Sequence, residues 1–137
     1  MVRPVLCVAL LAAAVAVTEA GLRAHHSIAG VYDSSQPVTV DGVVAEFAFV
    51  NPHPYLVVDV ADGGGRAQSW RLELDNRFEL IGIGMAADTL KPGDRVVVTG
   101  SRARNGTRGL YVRRLDRPAD GFRYEQVGAS PRIRTSS

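Results

Sequence analysis

A chain of 137 residues with a formal net charge of +2 and one cysteine is the size of a single domain. It is too evenly charged for a polycation that grips nucleic acid through its phosphates, and a lone cysteine builds neither a disulfide framework nor a thiolate metal site. It contains no Gly-x-Ser-x-Gly elbow, phosphate-binding loop or clear carboxylate dyad, so the expectation is a binding protein and not an enzyme.

Residues 1–24 have the three parts of a secretory signal: Arg3 near the start, an apolar run of 13 residues from Val5 to Val17, and a small-residue exit with Ala20 and Ala24. A helix needs roughly 20 residues to cross the hydrocarbon core, so a cleaved leader is expected and the mature form carries no transmembrane helix. Cys7 lies inside the leader between Leu6 and Val8, neighbours unsuited to lipid attachment, which leaves the exported chain without a thiol. Two cuts satisfy the small-residue rule, after Ala20 and after Ala24. The second removes Arg3, Glu19 and Arg23 and leaves 113 residues with 14 basic and 13 acidic groups. A periplasmic or secreted location follows, and with it little access to nucleic acid.

Residues 25–36 read as a polar N-terminal segment and residues 37–118 as the folded domain. Val38, Val40, Val44, Phe47 and Phe49 are β-prone and partly alternate, predicting a first strand over 38–50 with Gly42 as a bulge or bend. Tyr55 to Val60 reads as a second strand, and Gln68 to Leu74 returns as a third, with Trp70, Leu72 and Leu74 alternating against Ser69, Arg71 and Glu73. The glycine run 63–65 between them suits a hairpin. Phe78, Leu80 and Ile81 then fall at helical spacing behind Asn76, a capping residue, with Gly82 and Gly84 to end a short helix. Lys91-Pro92-Gly93-Asp94 is a turn before a strand at 96–100, and Asn105-Gly106 is a hairpin signal before a last strand at 110–112. After Pro118 periodicity is lost, so 119–137 is expected as a flexible C-terminal tail.

Three strands, a short helix and two strands give an all-β fold with a small helical insert, most simply a five-stranded OB-like Greek-key barrel. A small β-sandwich stays open as the alternative, because strand count does not fix how a sheet closes.

The string His25-His26-Ser27, Tyr32-Asp33, Pro37-Val38-Thr39-Val40-Asp41-Gly42-Val43-Val44, Asn51-Pro52-His53, Trp70 with Glu73, and Leu90-Lys91-Pro92-Gly93-Asp94 resembles a family of small exported bacterial proteins known as a domain of unknown function. The resemblance runs from about His25 to Leu115. It implies no activity, but it does imply that the His25-His26 pair marks the mature start and that His53 belongs with it. Phe49 and Met85 depart from the family's pattern, in which tryptophan is usual at both places.

A histidine at a free amino terminus offers its amine and its imidazole to one ion, and such a nitrogen chelate favours copper, which heads the divalent affinity order. A cut after Ala24 would place His25 there. His53, held between Pro52 and Pro54, is then the third ligand, or else a turn histidine that hydrogen-bonds a nearby carbonyl. Asp33, Asp59 and Glu73 are carboxylates able to ligate or to orient an imidazole, although strand-edge acids serve more often as plain surface. Trp70 and Tyr55 suit either core packing or a stacking surface. Arg102, Arg104, Arg108, Arg113, Arg114 and Arg117, with Arg132 and Arg134 beyond them, form either a solvated face or a docking surface. The expected function is an exported small binding protein that holds a copper-like metal through His25, His26 and His53. The alternative is an interaction module for an envelope protein or glycan, with structural histidines and no metal.

Overall fold

The computed structural model describes residues 28–136. Residues 28–31 are helical, and a separate unit begins at Tyr32. That unit consists of strands β1 (Tyr32–Ala48), β2 (Tyr55–Ala61) and β3 (Ala67–Glu73), helix α1 (Arg77–Gly82), and strands β4 (Arg95–Ala103), β5 (Gly109–Arg117), β6 (Phe122–Val127) and β7 (Ser130–Arg134). The strands form one seven-stranded sheet in the order β3-β2-β1-β4-β5-β6-β7, with a further pairing between β3 and β5. That pairing is parallel, Leu72 opposite Leu110, and all the others are antiparallel. Among the described residues no helix is long and apolar enough to cross a membrane.

Period-two alternation decides which face is inside. Val40 and Val44 on β1, Leu56 and Val58 on β2, Leu72 on β3, Val96 and Val98 on β4, and Leu110, Val112 and Leu115 on β5 are all buried in one cluster. Each side chain of this size contributes roughly 1.5–3 kcal/mol when taken fully from water. Met85 lies inside the same cluster and Phe49 packs on its margin, so both serve packing.

The turns and the helix form where their chemistry places them. Asn76 caps α1, its side-chain oxygen accepting from the Glu79 amide at 2.9 Å. The Lys91–Asp94 turn closes through the Asp94 amide on the Lys91 carbonyl at 3.0 Å, and the Asp94 carboxylate returns to the Lys91 amide. Of α1's residues only Leu80 is buried, and Phe78 is 84% exposed.

Three expectations need correction. β1 starts at Tyr32 and not at Val38, because Tyr32 and Asp33 already pair with Ala103 and Arg102 ahead of a register shift. Gly42 is not the bulge: it stands in register opposite Val96, and the shift against β2 falls between Val44 and Glu46. Lastly, the strands number seven and not five, and where a flexible tail was expected at 119–137, β6 and β7 pair as a hairpin. Phe122 and Tyr124 alternate with Arg123 and Glu125 and turn into the core, with Tyr124 wholly buried. Arg132 and Arg134 on β7 pair with Glu125 across the hairpin.

Candidate functional site

The loop between β1 and β2 is pinned to the segment joining β3 and α1. Its Asn51–Pro52 peptide is cis. The Pro52 carbonyl accepts from the Arg77 amide at 3.0 Å and the Pro54 carbonyl from the Leu74 amide at 2.9 Å. Arg77 adds a side-chain bond to the Phe49 carbonyl at 3.2 Å, with its guanidinium 5.2 Å from the centre of the Phe49 ring. His53 is thus held between two proline carbonyls that are both hydrogen-bonded to the scaffold.

The imidazole is fixed in turn. Its Nδ1 lies 2.9 Å from the Leu74 carbonyl, and a carbonyl only accepts, so Nδ1 carries a proton and Nε2 is the nitrogen whose lone pair can serve a ligand. Nε2 has no hydrogen-bond partner among the described residues. The side chain keeps 27% of its surface open. Carbonyl capture of one ring nitrogen is how proteins orient an imidazole whose other nitrogen ligates.

Glu73 stands beside it. One carboxylate oxygen is 3.8 Å from His53 Nδ1, too far for a hydrogen bond but near enough for attraction across a partly buried space. The other accepts from the Tyr32 hydroxyl at 2.5 Å. Burial first, then the bond to Glu73 and its charge, hold Tyr32 well above the ordinary phenol range, so at neutral pH it remains a donor.

A second polar cluster adjoins this one. The Tyr32 and Tyr111 ring centres are 5.7 Å apart. The Tyr111 and Tyr124 hydroxyls each donate to Asp75 at 2.5 Å, and the Gln126 amide donates to it at 2.7 Å. Asp75 is only 7% exposed, and three donors compensate its desolvation. The sequence reading missed Asp75, Tyr111, Tyr124 and Gln126; an acid directly after Leu74 at a strand end carries no signal of burial.

The other candidates are occupied locally. Asp33 accepts from the Ser35 amide and hydroxyl and faces Arg104 at 3.5 Å, and Asp59 accepts from Ser69 across the β2–β3 ladder. The Arg71 guanidinium lies 3.4 Å from the Tyr55 ring centre, which covers a face of that ring. Trp70 is half-buried against the core cluster. Much of the arginine run is paired internally: Arg114 with Asp116, Arg117 with Asp94 and Asp120, Arg132 with Glu125, and Arg113 with Gln126. Among the described residues no three His, Cys, Asp or Glu side chains converge as a metal site. His25, His26, the leader and both cleavage positions lie outside the described residues.

These features define a class, a small all-β protein whose first interstrand loop presents a single oriented imidazole. The chain belongs to DUF6152, a family of unknown function, which matches residues 11–111. That match ends within β5, ahead of the β6–β7 hairpin. No curated protein matches the chain.

Proposed function

We propose that this is an exported binding protein that holds one transition-metal ion of copper type through His53 together with His25 and His26. The observation that carries the reading is the Leu74 carbonyl on His53 Nδ1, which leaves Nε2 as the free lone pair of a ring that cannot easily turn. Glu73 at 3.8 Å adds negative charge behind that ring and favours a bound cation. In this reading residues 1–24 are the leader, and a cut after Ala24 makes His25 a two-nitrogen ligand. Copper is the ion that a nitrogen-rich set holds most tightly. The protein binds and does not turn over substrate.

We also propose that the first five strands close as an OB-like barrel. The pairings β1–β2, β2–β3, β3–β5, β5–β4 and β4–β1 lead back to their starting strand, which favours a barrel over a sandwich of two unpaired sheets. The β6–β7 hairpin is then an addition to it.

The test is a copper titration of the exported protein followed by electron paramagnetic resonance, with intact mass to fix the amino terminus. About one Cu(II) per chain with nitrogen ligation is expected, and His53→Ala should weaken it by about tenfold or more, as loss of a ligand at 1.4 kcal/mol per decade implies. Affinity and spectrum unchanged in His53→Ala would remove His53 from the site. A Gly21 start would remove the amine from the ligand set.

A further inference from the structure

Between Asp33 and Pro37 the ladder joining β1 to β4 loses its register: Asp33 stands opposite Arg102 and Pro37 opposite Ser101, so residues 34–36 have no partner on β4. At this bulge is a cleft of about 290 Å³ lined by Asp33, Gln36, Arg102, Ala103, Arg104 and Gly106. Small-molecule sites run upward from about 300 Å³, so an occupant here is of monosaccharide size.

The charges in the cleft are unequal in commitment. Arg104 faces Asp33 at 3.5 Å. Arg102 is exposed and has neither a hydrogen bond from its side chain nor an ion pair among the described residues. Arg114, Arg117, Arg123 and Arg132 by contrast all have carboxylate partners. A guanidinium fork matches a carboxylate with two parallel bonds. Asp33 shapes what can accompany that carboxylate. Hydrogen bonds from the Ser35 hydroxyl and amide hold its carboxyl below the ordinary range, so it stays charged, repels a dianion and accepts from a hydroxyl. Gln36 supplies one more donor and one more acceptor.

We propose that this cleft binds a small, singly charged hydroxy-carboxylate of the sugar-acid class, with Arg102 on the carboxylate and Gln36 and Asp33 on the hydroxyls. The site is independent of the metal reading and shares none of its residues.

The experiment is an amide chemical-shift titration of the purified protein at mildly alkaline pH, where phosphate is a dianion, with glucuronate, glucose and inorganic phosphate as probes. Glucuronate should move the Arg102, Arg104 and Gly106 amides saturably, glucose should leave them in place, and phosphate should bind about tenfold more weakly. Arg102→Gln should weaken glucuronate about tenfold, the size of one charge-assisted interaction, and its exposed position keeps the fold intact. Asp33→Asn should narrow the gap between phosphate and glucuronate. Phosphate binding as tightly as glucuronate would mean that an open arginine collects any anion, and would overturn the proposal. So would an unchanged glucuronate affinity in Arg102→Gln, or an unchanged gap in Asp33→Asn.

Discussion

Asp75 shows what a single residue costs and returns. A buried carboxylate is tolerated because Tyr111, Tyr124 and Gln126 donate to it, and removing it would strand two hydroxyls and an amide in the interior. Asp75→Ala should therefore destabilise the protein by about 3 kcal/mol or more, read from denaturant unfolding. The tyrosines add a pH dependence. Burial first, then the Asp75 hydrogen bond and charge, raise Tyr111; burial, then the Asp75 charge and hydrogen bond, raise Tyr124. Both folded-state values stand above the unfolded one, so their contribution is complete below pH of about 10 and is lost as pH climbs from there towards the folded values. The melting temperature should fall above about pH 10, and less steeply in Tyr124→Phe. Of these residues the sequence reading singled out none, since the partners of Asp75 are 36 and 49 positions away. His53 stands out in the sequence as a candidate, an imidazole between two prolines, whereas Glu73 is one of three acids, with Asp33 and Asp59, that the sequence offers on equal terms. Their approach to 3.8 Å, His53 to Glu73, was not legible, being a product of how the loop meets β3.

At the scale of elements, β1 is the strand on which the others depend. Its 17 residues pair with β4 along their first part and with β2 along their second, and the two ladders overlap at Val43. Close to the overlap, a Cβ built on Gly42 would lie 2.4 Å from the Asp59 carbonyl oxygen and 2.8 Å from Val58 Cγ1. The first of these neighbours is backbone and cannot swing aside. Gly42→Ala should cost roughly 1–3 kcal/mol, the range for forcing extra atoms into a packed interior, visible as a lower denaturation midpoint with an unchanged slope. In the sequence this glycine reads as a bulge or bend; the structure puts no bulge there, and the glycine lets two strands approach. Strands β2 and β3, the capped helix and the Lys91–Asp94 turn were readable because alternation, Asn76 and Pro92-Gly93 act on their own neighbours. The extension of β1 back to Tyr32 was hidden, since Ser34, Ser35 and Gln36 are poor strand formers without partners on β4, and only the pairing of Tyr32 and Asp33 ahead of them carries the strand on.

For the whole molecule, the β6–β7 hairpin is a structural part and not an appendage. It brings Phe122 and Tyr124 into the core and supplies two of the three donors to Asp75. Burial of two aromatic side chains is worth about 3–6 kcal/mol at roughly 1.5–3 each, comparable with the 5–15 kcal/mol that holds an ordinary domain together. A chain ending at Pro118 should accordingly lose its cooperative thermal transition by circular dichroism; an intact transition would show that the first five strands suffice alone. The hairpin could have been read from the alternation Phe122-Arg123-Tyr124-Glu125, but the loss of pattern after Pro118 and the proline within β7 obscured it.

The pairing of Tyr32 with Ala103 also sets a schedule. The first residues of the sheet wait for partners some seventy positions downstream, and such distant closures, whose entropy must be met before contacts reward it, make for folding on the scale of milliseconds to seconds. While Ala103 is still unmade, Tyr32 has no partner to join, although the second part of β1 can already pair with β2. A polypeptide wired in this way stays easily unravelled until β4 has been made, and acquires its resistance to being pulled apart only once the first part of β1 has its partner.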